Sequence, residues 1–232
     1  MSERIEITTP DGPMPARLWR PTSGSGPGLV VLQEIFGVSA YIRGRASDLA
    51  ALGYVVVAPE LFWRVGVSEV PAGPGMLEEA MAVTGRVEWD TAVDDAVATL
   101  HHLRGLDGVT GGVGVVGFCY GGGLGYAVAA REPVDALVSY YGSALPRLVD
   151  AVPAVPAPSL HHFGEEDSFI PMGQVASIRD SVGSGEAPVE FHTYPGADHA
   201  FDNYDFVNHH PEAADRAWTR TTDFLARVLP TG

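Results

Sequence analysis

The chain has 232 residues, 46% of them hydrophobic, with a formal net charge of -15, one cysteine and no lysine. That length and apolar content suit one α/β domain with a substantial core and exclude a globally disordered chain. The negative charge works against phosphate backbones and anionic lipid, so neither nucleic acid nor membrane is an expected partner. A single cysteine excludes an intramolecular disulfide framework, and the absence of Lys excludes Schiff-base and P-loop lysine chemistry. Met1-Ser2-Glu3-Arg4 leads into no apolar targeting core and no run reaches the length of a membrane span, so a cytoplasmic location is expected.

Residues 3–9 alternate and read as an edge strand, Asp11-Gly12-Pro13 as a turn, and 15–20 as a returning strand, so an antiparallel hairpin opens the chain. Gly28-Leu29-Val30-Val31-Leu32-Gln33 is a continuous apolar run of the kind buried on both faces of a sheet. A helix is predicted over 40–52, closed by Gly53, and a second buried strand over 54–58, stopped by Pro59. Residues 60–88, with Pro71, Gly73, Pro74 and Gly75, are the least regular stretch and read as a small lid or a long loop. Asp90–Arg104 is helical, with Val93, Val97 and Leu100 on one face. Further strands are predicted at 113–116, 134–140, 158–163 and 188–194, and helices from 121, over 171–182 and over 212–229. In the last helix Pro211 suits the first turn, and Trp218, Thr222 and Leu225 mark the expected buried stripe. Such alternation implies a mostly parallel sheet with helices on both faces, in a single domain spanning 1–232.

Gly117-Phe118-Cys119-Tyr120-Gly121 lies where a buried strand hands over to a helix. The pattern Gly-x-nucleophile-x-Gly belongs at that junction for a steric reason: the nucleophile occupies a strained turn whose flanking positions have no room for a Cβ. Cys119 stands where Ser is usual, at a helix N-terminus whose unpaired N–H groups favour a thiolate. This is the nucleophile elbow of an α/β-hydrolase fold. The lone cysteine would otherwise read as a buried structural thiol. Gly112-Val-Gly114-Val-Val-Gly117 also matches a dinucleotide fingerprint with Asp135 downstream, but here its residues form the strand instead of following it.

A thiol nucleophile needs a base and a group that orients the base, in the chain order nucleophile, acid, histidine. Gly164-Glu165-Glu166-Asp167 follows an apolar strand; Asp167 is the candidate acid, with Glu165 and Glu166 as neighbouring alternatives. His199, in Pro195-Gly196-Ala197-Asp198-His199, follows the last strand and is the candidate base. His101 and His102 lie in a helix, His161 and His162 in or beside a strand as packing residues, and His209 and His210 before the last helix. No histidine pair has Cys or carboxylate at metal-ligand spacing, so no metal and no cofactor are expected. In this fold the oxyanion donors are the N–H after the nucleophile, here Tyr120, and one from the loop after an earlier strand, where Ile35 is the candidate.

Five segments together resemble the dienelactone hydrolase (carboxymethylenebutenolidase) family: Gln33-Glu34-Ile35-Phe36-Gly37, the stretch Ala58-Pro59-Glu60-Leu61-Phe62-Trp63-Arg64, the Cys119 elbow, Gly164–Asp167, and Tyr194–Phe201. The resemblance implies a Cys119–His199–Asp167 triad and a small-molecule ester or lactone as substrate. It also implies a role for Glu34, whose carboxylate keeps the thiol less reactive until substrate displaces it. Phe36, Arg64 and Phe201 are the expected substrate contacts, Arg64 with the alternative of an ion pair to Glu34 or Glu60. Members that act on dienelactones carry an Arg shortly after the catalytic His, whereas this chain reads Ala200-Phe201-Asp202-Asn203. The reaction class, rather than dienelactone itself, is therefore the expectation, in a monomer or small homo-oligomer. The rival readings are a non-catalytic small-molecule-binding protein of the same fold and a nucleotide-binding oxidoreductase.

Overall fold

In a computed structural model describing residues 2–152 and 154–232, β1 (Glu3–Thr9) and β2 (Gly12–Trp19) form the opening antiparallel hairpin. The register Thr9↔Gly12 places the turn on Pro10 and Asp11, one residue before the expected position, with Gly12 already in the second strand at φ 130°. Alternation turns Ile7, Met14, Ala16 and Leu18 inward and Glu6, Thr8 and Pro15 outward. β3 (Gly26–Leu32) and β4 (Val55–Pro59) are buried along their whole length. β4 pairs parallel with β3 and antiparallel with β2, giving the order β1-β2-β4-β3.

Between β3 and β4 runs α1 (Ala40–Ala51), whose N-cap Ser39 accepts from the Ile42 N–H and which packs on β4 and β2. The irregular stretch 60–88 holds a 3-10 turn (Trp63–Val65) and α2 (Met76–Thr84). Its middle is tied to the loop after β3, since the Val38 N–H donates to Ser68 O at 3.2 Å and the Val70 N–H to Phe36 O at 2.9 Å. α3 (Trp89–Arg104) then lays Val93, Val97 and Leu100 against the sheet and contacts β3, β4 and β1.

The chain groups into two compact units, Met1–Val113 with Thr231–Gly232, and Gly114–Pro230. β5 (Val109–Phe118) crosses from the first to the second, six residues longer than the apolar core recognised at 113–116 because its polar first turn of sequence is still extended. In the second unit the strand order is β5-β6-β7-β8, all parallel, with β6 at Ala136–Tyr140, β7 at Ser159–Gly164 and β8 at Val189–Tyr194. α4 (Tyr120–Arg131) packs on β6, and the four-residue α5 (Leu145–Leu148), too short to show a period in the sequence, packs on α4. α6 (Met172–Val182) precedes β8, and α7 (Pro211–Val228) closes the unit against β6 and β7. The buried stripe of α7 is Ala213, Ala214, Ala217, Thr221, Phe224 and Leu225. Trp218 and Thr222 are only half-buried, so the helix is rotated about one position from the expected stripe, its small alanines allowing close approach to the strands. This is the α/β-hydrolase architecture expected from the sequence: mostly parallel, with an antiparallel pair at the N-terminus. Among the described residues, no helix is long and apolar enough to cross a membrane.

Beneath α7 lies a buried polar chain. His162 Nδ1 is 2.8 Å from Tyr194 OH, His162 Nε2 is 3.0 Å from Thr221 Oγ1, and that hydroxyl is 2.7 Å from Tyr140 OH. Burial lowers His161 to about 4, and burial, helped by His192, His161 and Arg220, holds His162 well below the ordinary histidine value. Unfolded histidines take up protons near 6.5, so stability drawn from these neutral rings is complete above that pH and is lost as pH falls toward about 4. Thermal melts should therefore show the melting temperature dropping between pH 6 and 5, with a loss of up to about 1.4 kcal/mol per pH unit for each ring. A melting temperature constant across that interval would contradict the neutral, buried assignment.

Candidate active site

The residues that converge in the second unit come from three loops at the C-terminal ends of its parallel strands, the edge where open α/β sheets bind ligands. Cys119 follows β5 directly, with φ 51° and ψ -110°, a conformation that L-residues adopt only when the surroundings enforce it. The enforcement is visible. The Cys119 N–H donates to Tyr140 O at 3.0 Å, and its carbonyl accepts from the N–H groups of Gly122, Gly123 and Ser143. A Cβ on Gly117 would lie 2.0 Å from Gly121 O, which is the collision anticipated from the sequence. Gly117→Ala should consequently displace the elbow and lower the melting temperature. A Gly117→Ala that melts with the parent chain would refute that geometry.

His199 sits in the loop after β8. Its Nε2 is 3.1 Å from Cys119 Sγ and its Nδ1 is 2.8 Å from Asp167 Oδ2. Asp167, in the loop after β7, is buried with its side chain 0% exposed. Its second oxygen accepts from the N–H groups of Phe169 and Ile170 at 2.9 and 2.8 Å, so the turn that carries the acid also fixes its orientation. With the Asp167 carboxylate against it, Nδ1 carries a proton, and Nε2 faces the sulfur. Burial alone would disfavour an imidazolium at His199. The charge on Cys119 and the hydrogen bond to Asp167 outweigh it and raise the group to about 10. The arrangement joins a sulfur, an imidazole and a buried carboxylate in one line of hydrogen-bond contacts.

Two aromatic rings flank the imidazole. Tyr141, buried and at φ 36°, stands 5.1 Å from it, and Phe169, 53% exposed, stands 5.0 Å away. Neither was singled out in the sequence, where an aromatic beside a buried strand or in an acidic loop carries no distinguishing mark.

Tyr120 opens α4 immediately after the sulfur. Phe201 is fully buried, packed against Tyr141 and Tyr194 at ring distances of 5.3 and 5.0 Å, so in this structure it is part of the core. Glu165, weighed as an alternative acid, accepts instead from the Thr193 hydroxyl. His210 caps α7 by accepting from the Ala213 N–H.

The remaining predicted residues belong to the first unit. Glu34, Ile35 and Phe36 form the loop after β3, with Glu34 fully buried and its carbonyl accepting from the Gly37 N–H at 3.3 Å. Gln33 at its start accepts from the Leu61 N–H, which anchors this loop to the one after β4. Arg64 binds neither Glu34 nor Glu60. It pairs with Asp95, and at 2.8 Å with Asp11, while lying over the Trp63 ring, and Glu60 faces Arg17. Asp95 is buried on α3 and also accepts from the Trp63 indole N–H, and a buried carboxylate of this kind takes the available cation.

Residues 14–229 match the family model described as the dienelactone hydrolase family. Carboxymethylenebutenolidase 1 of Cupriavidus pinatubonensis is 33% identical over 231 residues, covering 98% of each chain. The carboxymethylenebutenolidase of Pseudomonas putida is 34% identical over 229 residues, covering 97% of each. Among solved structures, a proposed dienelactone hydrolase from Klebsiella pneumoniae superposes with a TM-score of 0.84 at 29% identity, covering 98% of each chain.

Proposed function

The chain belongs to the dienelactone hydrolase family, and from that premise we propose that it cleaves a small carboxylic ester or lactone by acyl transfer through Cys119. The observation that carries the reading is the continuous set of contacts from sulfur to imidazole to buried carboxylate, at 3.1 and 2.8 Å. In the first half-reaction the Cys119 thiolate forms a C–S bond to the acyl carbon, and the carbonyl electrons move onto oxygen. The N–H of Tyr120, the residue after the sulfur, is the proposed donor to that oxyanion. Collapse breaks the C–O bond, and the departing alkoxide or enolate takes the proton from His199 Nε2. In the second half-reaction His199, neutral again, removes a proton from water. The resulting hydroxide attacks the thioester, and the thiolate leaves while Nε2 keeps the proton. Asp167 holds Nδ1–H throughout.

Arg64, committed to two carboxylates, and Phe201, buried in the core, receive no substrate contact.

Iodoacetamide labelling of Cys119 followed alongside p-nitrophenyl acetate hydrolysis tests the reading. Loss of hydrolysis in step with labelling supports it. Labelling that leaves hydrolysis intact removes Cys119 from the chemistry, and a protein that neither labels nor hydrolyses returns the non-catalytic binding reading to the front.

A further inference from the structure

The acid and the base are carried by two loops that follow adjacent strands, β7 and β8. Near the strands, backbone holds them together: the Glu165 N–H donates to Tyr194 O and the Glu166 N–H to Ala197 O, both at 3.0 Å. Gly164 approaches so closely that a Cβ there would lie 2.2 Å from Ala197 O. Farther out, at the level of Asp167 and His199, the tie is a side chain. Asp198 Oδ1 accepts from the Ser168 N–H at 2.7 Å and from the His199 N–H at 2.6 Å. One oxygen thus joins the residue after the acid to the backbone of the base.

Resting on the triad reading above, we infer that Asp198 is a positioning residue: it sets the register between the Asp167 and His199 loops and so aims Nε2 at Cys119. Asp167 can offer His199 only Oδ2, because Oδ1 is taken by the N–H groups of its own turn. Any slip of one loop along the other therefore lengthens the single Oδ2–Nδ1 bond with no second acceptor to replace it. Ala200, just after the base, sits at φ 60°, so the base is held between an uncommon backbone turn on one side and the Asp198 carboxylate on the other. Partial burial works against a charge on Asp198, yet the backbone N–H groups of Ser168 and His199, the Ser168 hydroxyl and the nearby imidazolium hold its carboxyl below the usual range. It stays an acceptor across the working pH.

The test compares Asp198→Ala, which removes the acceptor, with Asp198→Asn, whose amide oxygen can accept the same two bonds. Asp198→Ala should lower kcat for p-nitrophenyl acetate about 20-fold with KM changed less than about threefold, as a small misplacement of a reacting group does. Asp198→Asn should stay within about threefold of the parent chain in both constants. A kcat for Asp198→Ala equal to the parent's, or an Asp198→Asn as slow as Asp198→Ala, overturns the inference. Should Asp198→Ala not fold, amide exchange in the unmodified protein decides: slow exchange at Ser168 and His199 is expected, and fast exchange at both overturns it. Cys119→Ala run in parallel separates the two levels. An active Cys119→Ala removes the triad reading itself, whereas an inert Cys119→Ala beside a fully active Asp198→Ala removes only the role of Asp198.

Discussion

Cys119→Ala should reduce kcat/KM for p-nitrophenyl acetate about 10³-fold or more, leaving the residual rate supplied by oxyanion donors and by water activated at His199. The size of the effect follows from the site's composition. Cys119 is the only cysteine, and its sulfur is the atom His199 Nε2 addresses. The same substitution has a second readout. The charge on Cys119 is the main influence holding His199 up against burial, so the imidazole of Cys119→Ala should titrate below the parent's value of about 10. Titration of its ring protons by NMR measures this directly. Hydrolysis at the parent's rate in Cys119→Ala would falsify the nucleophile assignment, and an unmoved His199 would remove the ion pair.

Asp167→Asn should lower kcat by about 10²- to 10⁴-fold while leaving the fold intact. The direction follows from hydrogen-bond polarity. Two backbone N–H groups, from Phe169 and Ile170, point at Oδ1 and accept only an oxygen there. An asparagine must then turn its NH₂ toward His199, which obliges Nδ1 to accept and moves the ring proton to Nε2. A neutral ring whose proton is already on Nε2 cannot take one there from the attacking water. The substitution also changes the alkaline response. A histidine raised from 6.5 to about 10 on folding gives stability that is complete below pH 6.5 and is lost as pH rises toward about 10. Melts from pH 7 to 10 should show a falling melting temperature in the parent and a shallower fall in Asp167→Asn. The alkaline limb of the rate profile should likewise sit near 10 and belong to the Cys119–His199 pair as a whole. Activity within threefold of the parent would move the orienting role away from Asp167.

The residues of the site differ in how strongly the sequence marks them. The place of Cys119 on the elbow was legible because its constraint is local: two glycines at fixed offsets on a strand-to-helix turn answer a collision within five residues, and the structure shows that collision at Gly117. His199 was legible from placement after the last strand. Asp167 was less so, since Glu165 and Glu166 carry the same chemistry in the same loop, and only the direction of each side chain separates them. Arg64 was open between a substrate contact and an ion pair to Glu34 or Glu60, and only the fold brings Asp11 and Asp95 to it instead. Asp198 passed unnoticed, since an acidic residue in a turn reads as solvated surface until the two N–H groups it accepts from are seen to belong to different loops.

The sequence alone determined the order of the strands and main helices, the hairpin at the start, and the elbow with Cys119 at its turn. These rest on hydrophobic period and on steric rules that act over a few residues. Tertiary structure alone decided which carboxylate faces the imidazole, that Phe201 packs in the core, where Arg64 spends its charge, and that His162 lies at the centre of a buried polar chain. Each of these depends on what burial removes from water and on which distant polar group is then within hydrogen-bond reach.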